Sequence, residues 1–447
     1  MVSTGLLAAC SSDSSSPASG SAGAGGRAAG GAAGQAAGGA AGQATGGAAG
    51  QATGGAAGQA AGGAGGQATG GGGGQAMGGA GGQAMGGAGG QAAGGAGGSG
   101  CLDPTMFAAS FSIADSSFCA VALYTAPEAL GSQLPTWGSH GGPLVVQAAA
   151  TGAAGASGTG VTLERWTAPA GTTGAMTVQT TPVASALPSG AFLGAQALDL
   201  PFFGWTAISW TNPFPDTTGK FEMIASGAIV TSYDVNGPFG VAAVPAASSL
   251  GRFFFSGLAP LGTTTTVGNG LYEADACSSP SQGLGSAAGC PASAAVATWG
   301  TFSGPIAADS HGDVFAVFQT SAASDPNPTQ EARAFVASSV ARGAAPTSGA
   351  TLFTIGGYVN SLAALSPASN AAGAMVYQPA DDNFAPGDVL EQQFTTSSTT
   401  LAPVGTTATL LTVPSGAGLS LMVDGSQRLW VAASDSSSTT YVVLARQ

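Results

Sequence analysis

The sequence has few basic residues and little charge of either sign. Its 447 residues include 8 Lys and Arg against 21 Asp and Glu, which gives a net charge of −13. Nucleic-acid binding needs a basic surface that neutralises phosphates, and adhesion to anionic lipid needs clustered Lys and Arg. We therefore expect no nucleic-acid partner and no electrostatic attachment to a membrane.

Catalytic motifs and long apolar runs are also scarce. His140 and His311 are the two histidines, and the sequence has neither a G-x-S-x-G elbow nor an H-E-x-x-H motif. No stretch is long and apolar enough to span a bilayer. These absences weigh against an enzyme without deciding the question.

The five cysteines divide into two local pairs and one single residue. Cys101 with Cys119, and Cys277 with Cys290, would each close a short loop, while Cys10 stands alone near the N-terminus. Two such disulfides are typical of an oxidising compartment. The two-residue spacing of a zinc knuckle is missing from both pairs.

The segment Leu6–Cys10, LLAAC, resembles the lipobox of bacterial lipoproteins. That resemblance implies a diacylglycerol on Cys10 and a cell-envelope location, at the outer membrane facing the periplasm or the cell surface. Residues 1–10 then form a truncated signal segment. Because a signal peptide needs a basic region and a longer apolar stretch, we expect the true start to lie upstream.

Residues 11–100 are a low-complexity tether of eight-residue repeats. Glutamines recur every eight positions from Gln35 to Gln91, separated almost entirely by Gly, Ala and Thr. Glycine at this density loses too much backbone entropy on ordering, and few large apolar side chains offset that loss. The composition predicts a disordered, flexible coil that spans roughly 50–60 Å on average.

Residues 101–447 read as short strands separated by Gly, Pro, Asn and Asp, which predicts an all-β head. An apolar strand, an Asp-x-x-Gly-like turn and a second apolar strand recur around Asp234, Asp309 and Asp424. This pattern resembles the blades of NHL-type and bacterial sensor-type β-propellers. The resemblance implies six or seven blades, with residues 105–113 completing the last blade. Tandem β-sandwiches are the alternative.

The candidate site residues are few. Asp309, His311 and Asp313 could ligate a metal, although a hairpin turn explains them as well, and Asp381 and Asp382 could bind Ca²⁺ or form a solvated acidic loop. No other cofactor is expected. The tryptophans Trp205 and Trp210 crowd together and could form a binding face, unless they are core residues.

These features predict an exported, lipid-anchored protein with a non-catalytic binding or scaffolding head. Its ligand could be a protein, a glycan or a wall polymer. A propeller hydrolase or lyase acting on extracellular glycans or lactones is one alternative, and a structural surface or adhesion protein is another.

Overall fold

The computed structural model divides the chain into two compact units, Met1–Gly100 and Cys101–Gln447. In the first unit it describes the strand residues alone. In the second unit it describes residues 101–130, 133–149, 159–187, 191–193, 196–200, 204–212, 218–236, 238–242, 252–257, 270–275, 294–299, 303–321, 325, 327–340, 347–367, 372–397, 400–414 and 417–447.

Short parallel strands lie at the glutamines of the first unit. They are β1 (Ser19–Ser21), β2 (Arg27–Ala29), β3 (Gln35–Ala37), β4 (Gln43–Thr45), β5 (Gln51–Thr53), β6 (Gln59–Ala61), β7 (Gln67–Thr69), β8 (Gln75–Met77), β9 (Gln83–Met85) and β10 (Ala92–Ala93). Alternate strands pair into two sheets, so that Gln35 lies opposite Gln51. The strict eight-residue repeat brings identical residues into register between these strands.

The second unit consists of strands, with one 3₁₀ turn at Pro104–Met106 among its described residues. Its first strands are β11 (Ser112–Ile113) and β12 (Phe118–Ala126). Blade I contains β13 (Thr136–Trp137), β14 (Pro143–Ala149), β15 (Thr159–Thr167) and β17 (Thr177–Leu187), with β16 (Thr173–Ala175) beside β12. Blade II contains β18 (Phe192–Leu193), β19 (Leu198–Leu200), β20 (Trp205–Thr211), β21 (Thr218–Ala225) and β22 (Ala228–Asn236).

Four further blades complete the head. Blade III contains β23 (Pro238–Ala242), β24 (Arg252–Gly257), β25 (Gly270–Asp275) and β26 (Ala294–Thr298). Blade IV contains β27 (Ser303–Ala308), β28 (Val314–Gln319), β29 (Thr329–Phe335) and β30 (Ala350–Gly356). Blade V contains β31 (Tyr358–Leu365), β32 (Gly373–Ala380), β33 (Val389–Thr396) and β34 (Leu401–Thr412), and blade VI contains β35 (Leu419–Val423), β36 (Leu429–Ser434) and β37 (Thr439–Arg446).

The first strands of successive blades contact one another around a ring. Strand β23 contacts β27, β27 contacts β31, β31 contacts β35, and β35 contacts β13. Six sheets arranged in this way, antiparallel except where β16 pairs with β12, form a six-bladed β-propeller. The all-β propeller prediction is confirmed, and the tandem-sandwich alternative is wrong because the sheets do not stack as two facing layers.

The ring is closed by an N-terminal strand in the last blade. Strand β12 pairs antiparallel with β37, from Phe118 opposite Arg446 to Ala126 opposite Thr439. This pairing covers a sheet edge that would otherwise be exposed. The closing strand is β12 rather than the expected residues 105–113, whose last two residues pair instead with β34 of blade V.

Apolar packing fills the spaces between the blades. One cluster joins blades VI and I through Trp166, Tyr441 and Trp430, all of which are buried. The rings of Trp166 and Tyr441 are nearly perpendicular, with centroids 5.6 Å apart. Such edge-to-face pairs stabilise a core beyond the apolar area that they bury.

Candidate functional site

One five-residue turn recurs at four places in the head. In each turn the first N–H donates to the fifth C=O, the fourth N–H donates to the first C=O, and the fourth residue has positive φ. The four turns are Gly138–Gly142, Asp309–Asp313, Asp381–Ala385 and Asp424–Arg428. Antiparallel hairpins favour this geometry because a left-handed residue restores the strand twist after the turn.

The four turns lie at opposite ends of the propeller. Turns 138–142, 309–313 and 424–428 connect the first and second strands of blades I, IV and VI, and we call this end the lower end. Turn 381–385 connects the second and third strands of blade V, and it lies at the upper end with the blade-to-blade connections. Because neighbouring strands are antiparallel, the two kinds of connection fall on opposite sides of the sheet.

The expected turn at Asp234 is not a hairpin. Asp234 lies within β22 and is opposite Lys220 of β21 in the sheet register. The next strand, β23, belongs to blade III, so this segment links two blades. Two apolar strands in sequence look the same whether they form a hairpin or pass from one blade to the next.

One oxygen of the Asp309 carboxylate accepts two hydrogen bonds, whereas the other accepts none among the described residues. Its Oδ1 accepts the N–H groups of His311 and Asp313, each at 2.9 Å. Its Oδ2 is buried and accepts no hydrogen bond within the described part of the chain. The His311 Nδ1 lies 3.9 Å from that Oδ2, and the imidazole is 55% exposed. Burial, reinforced by the negative charge of Asp313, raises the pKa of Asp309 to about 6.

Asp313 connects two blades. Its Oδ1 accepts the Ala337 N–H at 2.8 Å, and its Oδ2 accepts the Thr396 hydroxyl at 3.1 Å. Both oxygens of Asp313 therefore accept hydrogen bonds from outside the turn. Among the described residues there is no group of three His, Cys, Asp or Glu side chains placed to hold a metal ion.

The lower end is held together by hydrogen bonds that cross between blades. The Ser310 N–H donates to Ser366 Oγ at 2.8 Å, which joins blade IV to blade V. The Ser366 N–H donates to Gln427 Oε1 at 2.7 Å, which joins blade V to blade VI. In blade I, the Ser139 N–H and hydroxyl both donate to Asp199 Oδ2 in blade II. The polar turn residues therefore connect neighbouring blades.

The second histidine occupies the same turn position as the first. Gly138–Gly142 reads GSHGG and Asp309–Asp313 reads DSHGD, so His140 corresponds to His311. The His140 Nε2 lies 3.3 Å from the Trp166 carbonyl oxygen, and its Nδ1 is buried. Burial lowers the pKa of His140, which favours the neutral imidazole. The two histidines lie in separate turns of blades I and IV.

The acidic turn at the upper end carries an exposed aromatic residue. Asp381 Oδ1 accepts the N–H groups of Asn383 and Ala385, so this carboxylate caps its own turn, whereas Asp382 is exposed. Phe384 has a φ of 61° and is 62% exposed. Its ring stacks on Tyr358, with centroids 4.5 Å apart and an interplanar angle of 14°.

Sequence reasoning missed the Tyr358–Phe384 pair, although a signal was present. The fourth turn residue is glycine in DSHGD and GSHGG, and phenylalanine in DDNFA. An alignment of the turn sequences would have shown this phenylalanine, a bulky residue at a position that favours glycine.

The two predicted binding tryptophans do not form one surface. Trp205 and Trp210 lie in β20 at positions of opposite parity, so their side chains point to opposite faces of the sheet. Trp210 is buried in a cluster with Ile208 and Leu163, and Trp205 is half-buried.

The cysteines are only partly described. Cys101 and Cys119 form a disulfide, with Cα atoms 5.4 Å apart. Cys10, Cys277 and Cys290 lie outside the described residues. Beside the disulfide, a cavity of about 350 Å³ is lined by Ile113, Phe118 and Gln447 among others. Among the described residues, no helix is both long and apolar enough to cross a membrane.

No protein-family model matches this chain, and no curated relative matches it. Solved structures with a similar fold include a glucose dehydrogenase, at 9% identity over 73% of this chain and 98% of that one, with a TM-score of 0.41. Another is the soluble aldose sugar dehydrogenase of Escherichia coli in its apo form, at 9% identity over 73% of this chain and 100% of that one, with a TM-score of 0.40. The extracellular domains 1–2 of Drosophila semaphorin 1b match at 14% identity over 69% of this chain and 72% of that one, with a TM-score of 0.33. At such identities the likeness concerns the fold alone.

Proposed function

We propose that this chain is an exported, lipid-anchored protein of the cell envelope whose propeller binds a ligand without transforming it. The anchor is the lipid on Cys10, and the ligand is an envelope polymer. The acidic, Lys-poor composition and the Cys101–Cys119 disulfide support export to an oxidising compartment.

One observation carries the binding function. An exposed aromatic ring, Phe384, is stacked on Tyr358 at the end of the propeller where the blade-to-blade connections converge. Exposed aromatic residues at such an end are typical of recognition surfaces. The acid–base candidates lie at the other end, where Asp313 and Asp424 hold turns and blades together.

Binding is tested by co-sedimentation of the full-length chain with insoluble envelope polymers, while the supernatant is analysed for released products. We expect saturable binding that F384A weakens, with no product released. An absence of saturable binding, or a steady release of product, would contradict the proposal.

The anchor is tested separately by metabolic labelling with an alkyne analogue of palmitate. We expect the wild-type chain to be labelled and C10A to lose the label. Labelling that persists in C10A would contradict lipidation at this residue and would leave the binding function unaffected.

A hydrolytic or lytic enzyme is the second candidate, and the Asp309–His311 pair favours it. A buried carboxylate oxygen without a hydrogen bond, 3.9 Å from an exposed imidazole, is an arrangement that can move a proton. This function predicts product release that H311A abolishes, in the same co-sedimentation assay. Release that is unchanged in H311A would exclude the pair as the catalytic residues.

A further inference from the structure

We propose that Phe384 and Tyr358 form a stacking platform for a neutral saccharide, with Asp382 and Asn383 as its polar contacts. This inference rests on the proposed binding function and names the ligand class of that site. The four residues lie at the upper end of blade V, on the β32–β33 turn and at the start of β31.

The shape of the platform selects the ligand. The two rings are nearly parallel, and Tyr358 is half-buried beneath Phe384, so one flat aromatic face is open to solvent. The face of an aromatic ring is electron-rich and attracts groups of partial positive charge, such as the C–H face of a sugar ring. A quaternary ammonium group is usually enclosed by aromatic rings on several sides. A single flat face is therefore better suited to a saccharide.

Packing on Tyr358 explains only part of why a phenylalanine occupies this turn. Its φ of 61° is the left-handed conformation, where Gly141, Gly312 and Gln427 stand in the equivalent turns. The Gln427 side chain accepts the Ser366 N–H of the neighbouring blade, whereas the Phe384 ring is 62% exposed. A bulky residue there costs about 1–2 kcal/mol in backbone strain. Stacking on Tyr358 offsets part of that cost, while most of the ring surface remains exposed in the described chain. A ligand that covers the ring would supply the missing burial.

Polar groups for sugar hydroxyls adjoin the platform. Asp382 and Asn383 are exposed and immediately precede Phe384. The Asp382 carboxylate forms no hydrogen bond or ion pair within the described residues, so it is available to accept from hydroxyl groups. Hydrogen bonds to an ionised carboxylate are stronger than bonds between neutral groups.

Charge at the upper end disfavours an acidic polymer. Asp325, Asp382 and Asp435 lie in the connections between the second and third strands of blades IV, V and VI. Arg428 and Arg446 lie at the lower end instead. Phosphate, sulfate or uronate groups would be repelled by these three carboxylates of blades IV to VI, so the saccharide is neutral.

Isothermal titration calorimetry of the full-length chain tests the proposal. The probes are cellohexaose, maltohexaose and chitohexaose as neutral saccharides, with polygalacturonate as an acidic one. We expect at least one neutral hexaose to bind and polygalacturonate not to bind. F384A should weaken binding by about tenfold or more, because it removes the stacking face. F384W should retain the affinity. The matched control is I229A, which truncates an exposed apolar side chain in blade II.

Thermal unfolding distinguishes a variant that has lost the binding site from one that no longer folds. F384G relieves the left-handed strain at a turn, so we expect a melting temperature no lower than that of the wild type, together with the same loss of binding. Undiminished hexaose binding by F384A and F384G would overturn the platform and leave the proposed binding function standing. Binding of polygalacturonate alone, or binding of envelope polymer without binding of any hexaose, would overturn the ligand class.

Discussion

Two turns at the lower end have the same backbone hydrogen bonds but different partners for the aspartate side chain. Asp309 and Asp424 each begin a five-residue turn, and each accepts two backbone N–H groups through Oδ1. They differ at Oδ2. That atom of Asp424 accepts from Arg428 Nε at 2.7 Å and from Trp430 Nε1 at 3.0 Å. The corresponding atom of Asp309 is buried without a hydrogen bond in the described chain.

The difference comes from two positions downstream of each aspartate. Four residues on, Arg428 is replaced by Asp313 in blade IV, and six residues on, Trp430 is replaced by Phe315. Both replacements remove a donor, and the first adds a negative charge. A backbone motif therefore fixes where a carboxylate lies, whereas neighbouring side chains decide whether its second oxygen accepts hydrogen bonds or is buried without one in the described part of the chain.

The largest expected effect is the loss of the better-satisfied carboxylate. D424A leaves two turn N–H groups, the Arg428 guanidinium and the buried Trp430 N–H without their acceptor, so we expect the free energy of unfolding to fall by about 3–5 kcal/mol. D309A removes a turn cap but also relieves a buried carboxylate oxygen that has no hydrogen bond in the described chain, so it should cost no more than about 1–2 kcal/mol. Urea denaturation of both variants measures the difference. Equal losses would show that the Oδ2 contacts of Asp424 contribute nothing.

The pH dependence of stability should come next in size. Since the pKa of Asp309 is about 6 in the folded chain against an ordinary value of 3.8, the folded state holds more protons between these values. The stability contributed by protonated Asp309 is therefore present below pH 4 and is lost as pH rises to 6, by up to about 3 kcal/mol.

The variant D309N isolates this effect, because its amide oxygen can still cap the turn but cannot titrate. We expect the unfolding free energy of D309N, relative to the wild type, to increase as pH rises from 4 to 7. Urea denaturation at half-unit intervals of pH provides the measurement. A difference between the two proteins that stays constant with pH would mean that Asp309 titrates normally.

The strands and turns of the head could be predicted from sequence because their signals are local. A short apolar run bounded by turn residues marks a strand, as in β12. An aspartate whose side chain can accept the N–H two residues further on marks a turn. The path of the chain is not local. Asp234 follows the same pattern but lies inside β22, and β12 rather than residues 105–113 closes the ring.

The candidate residues illustrate the same limit. Sequence spacing brought Asp309, His311 and Asp313 together, yet the direction of the Asp313 carboxylate depends on Ala337 and Thr396, which are distant in the sequence. Tyr358 lies at the beginning of β31, whereas Phe384 lies in the turn that follows β32. A residue spacing of this kind has no periodic signature.

A substitution at Trp430 should make the Asp424 turn resemble the Asp309 turn. W430F removes the indole donor and leaves Arg428 as the side-chain donor to Oδ2, so we expect a loss of about 1–3 kcal/mol in unfolding free energy. W137F is the control, since Trp137 packs on Trp430 with ring centroids 5.1 Å apart. Urea denaturation of both should show a smaller loss for W137F. A comparable loss in the two variants would assign the effect to lost ring volume instead of the lost hydrogen bond.

The smallest effect is expected for the substitution H311A. It is compared with H140A in the other Ser-His-Gly turn. His311 is largely exposed and reaches Asp309 only at 3.9 Å, so H311A should change the unfolding free energy at pH 7.5 by less than about 0.5 kcal/mol. His140 is packed against the Trp166 carbonyl with a buried Nδ1, so H140A should cost about 1–3 kcal/mol. Thermal and urea unfolding of the two variants measure this contrast. If H311A proved as costly as H140A, the exposed imidazole would be a structural partner of the Asp309 carboxylate. Both the open Oδ2 and the enzymatic alternative built on it would then lose their support.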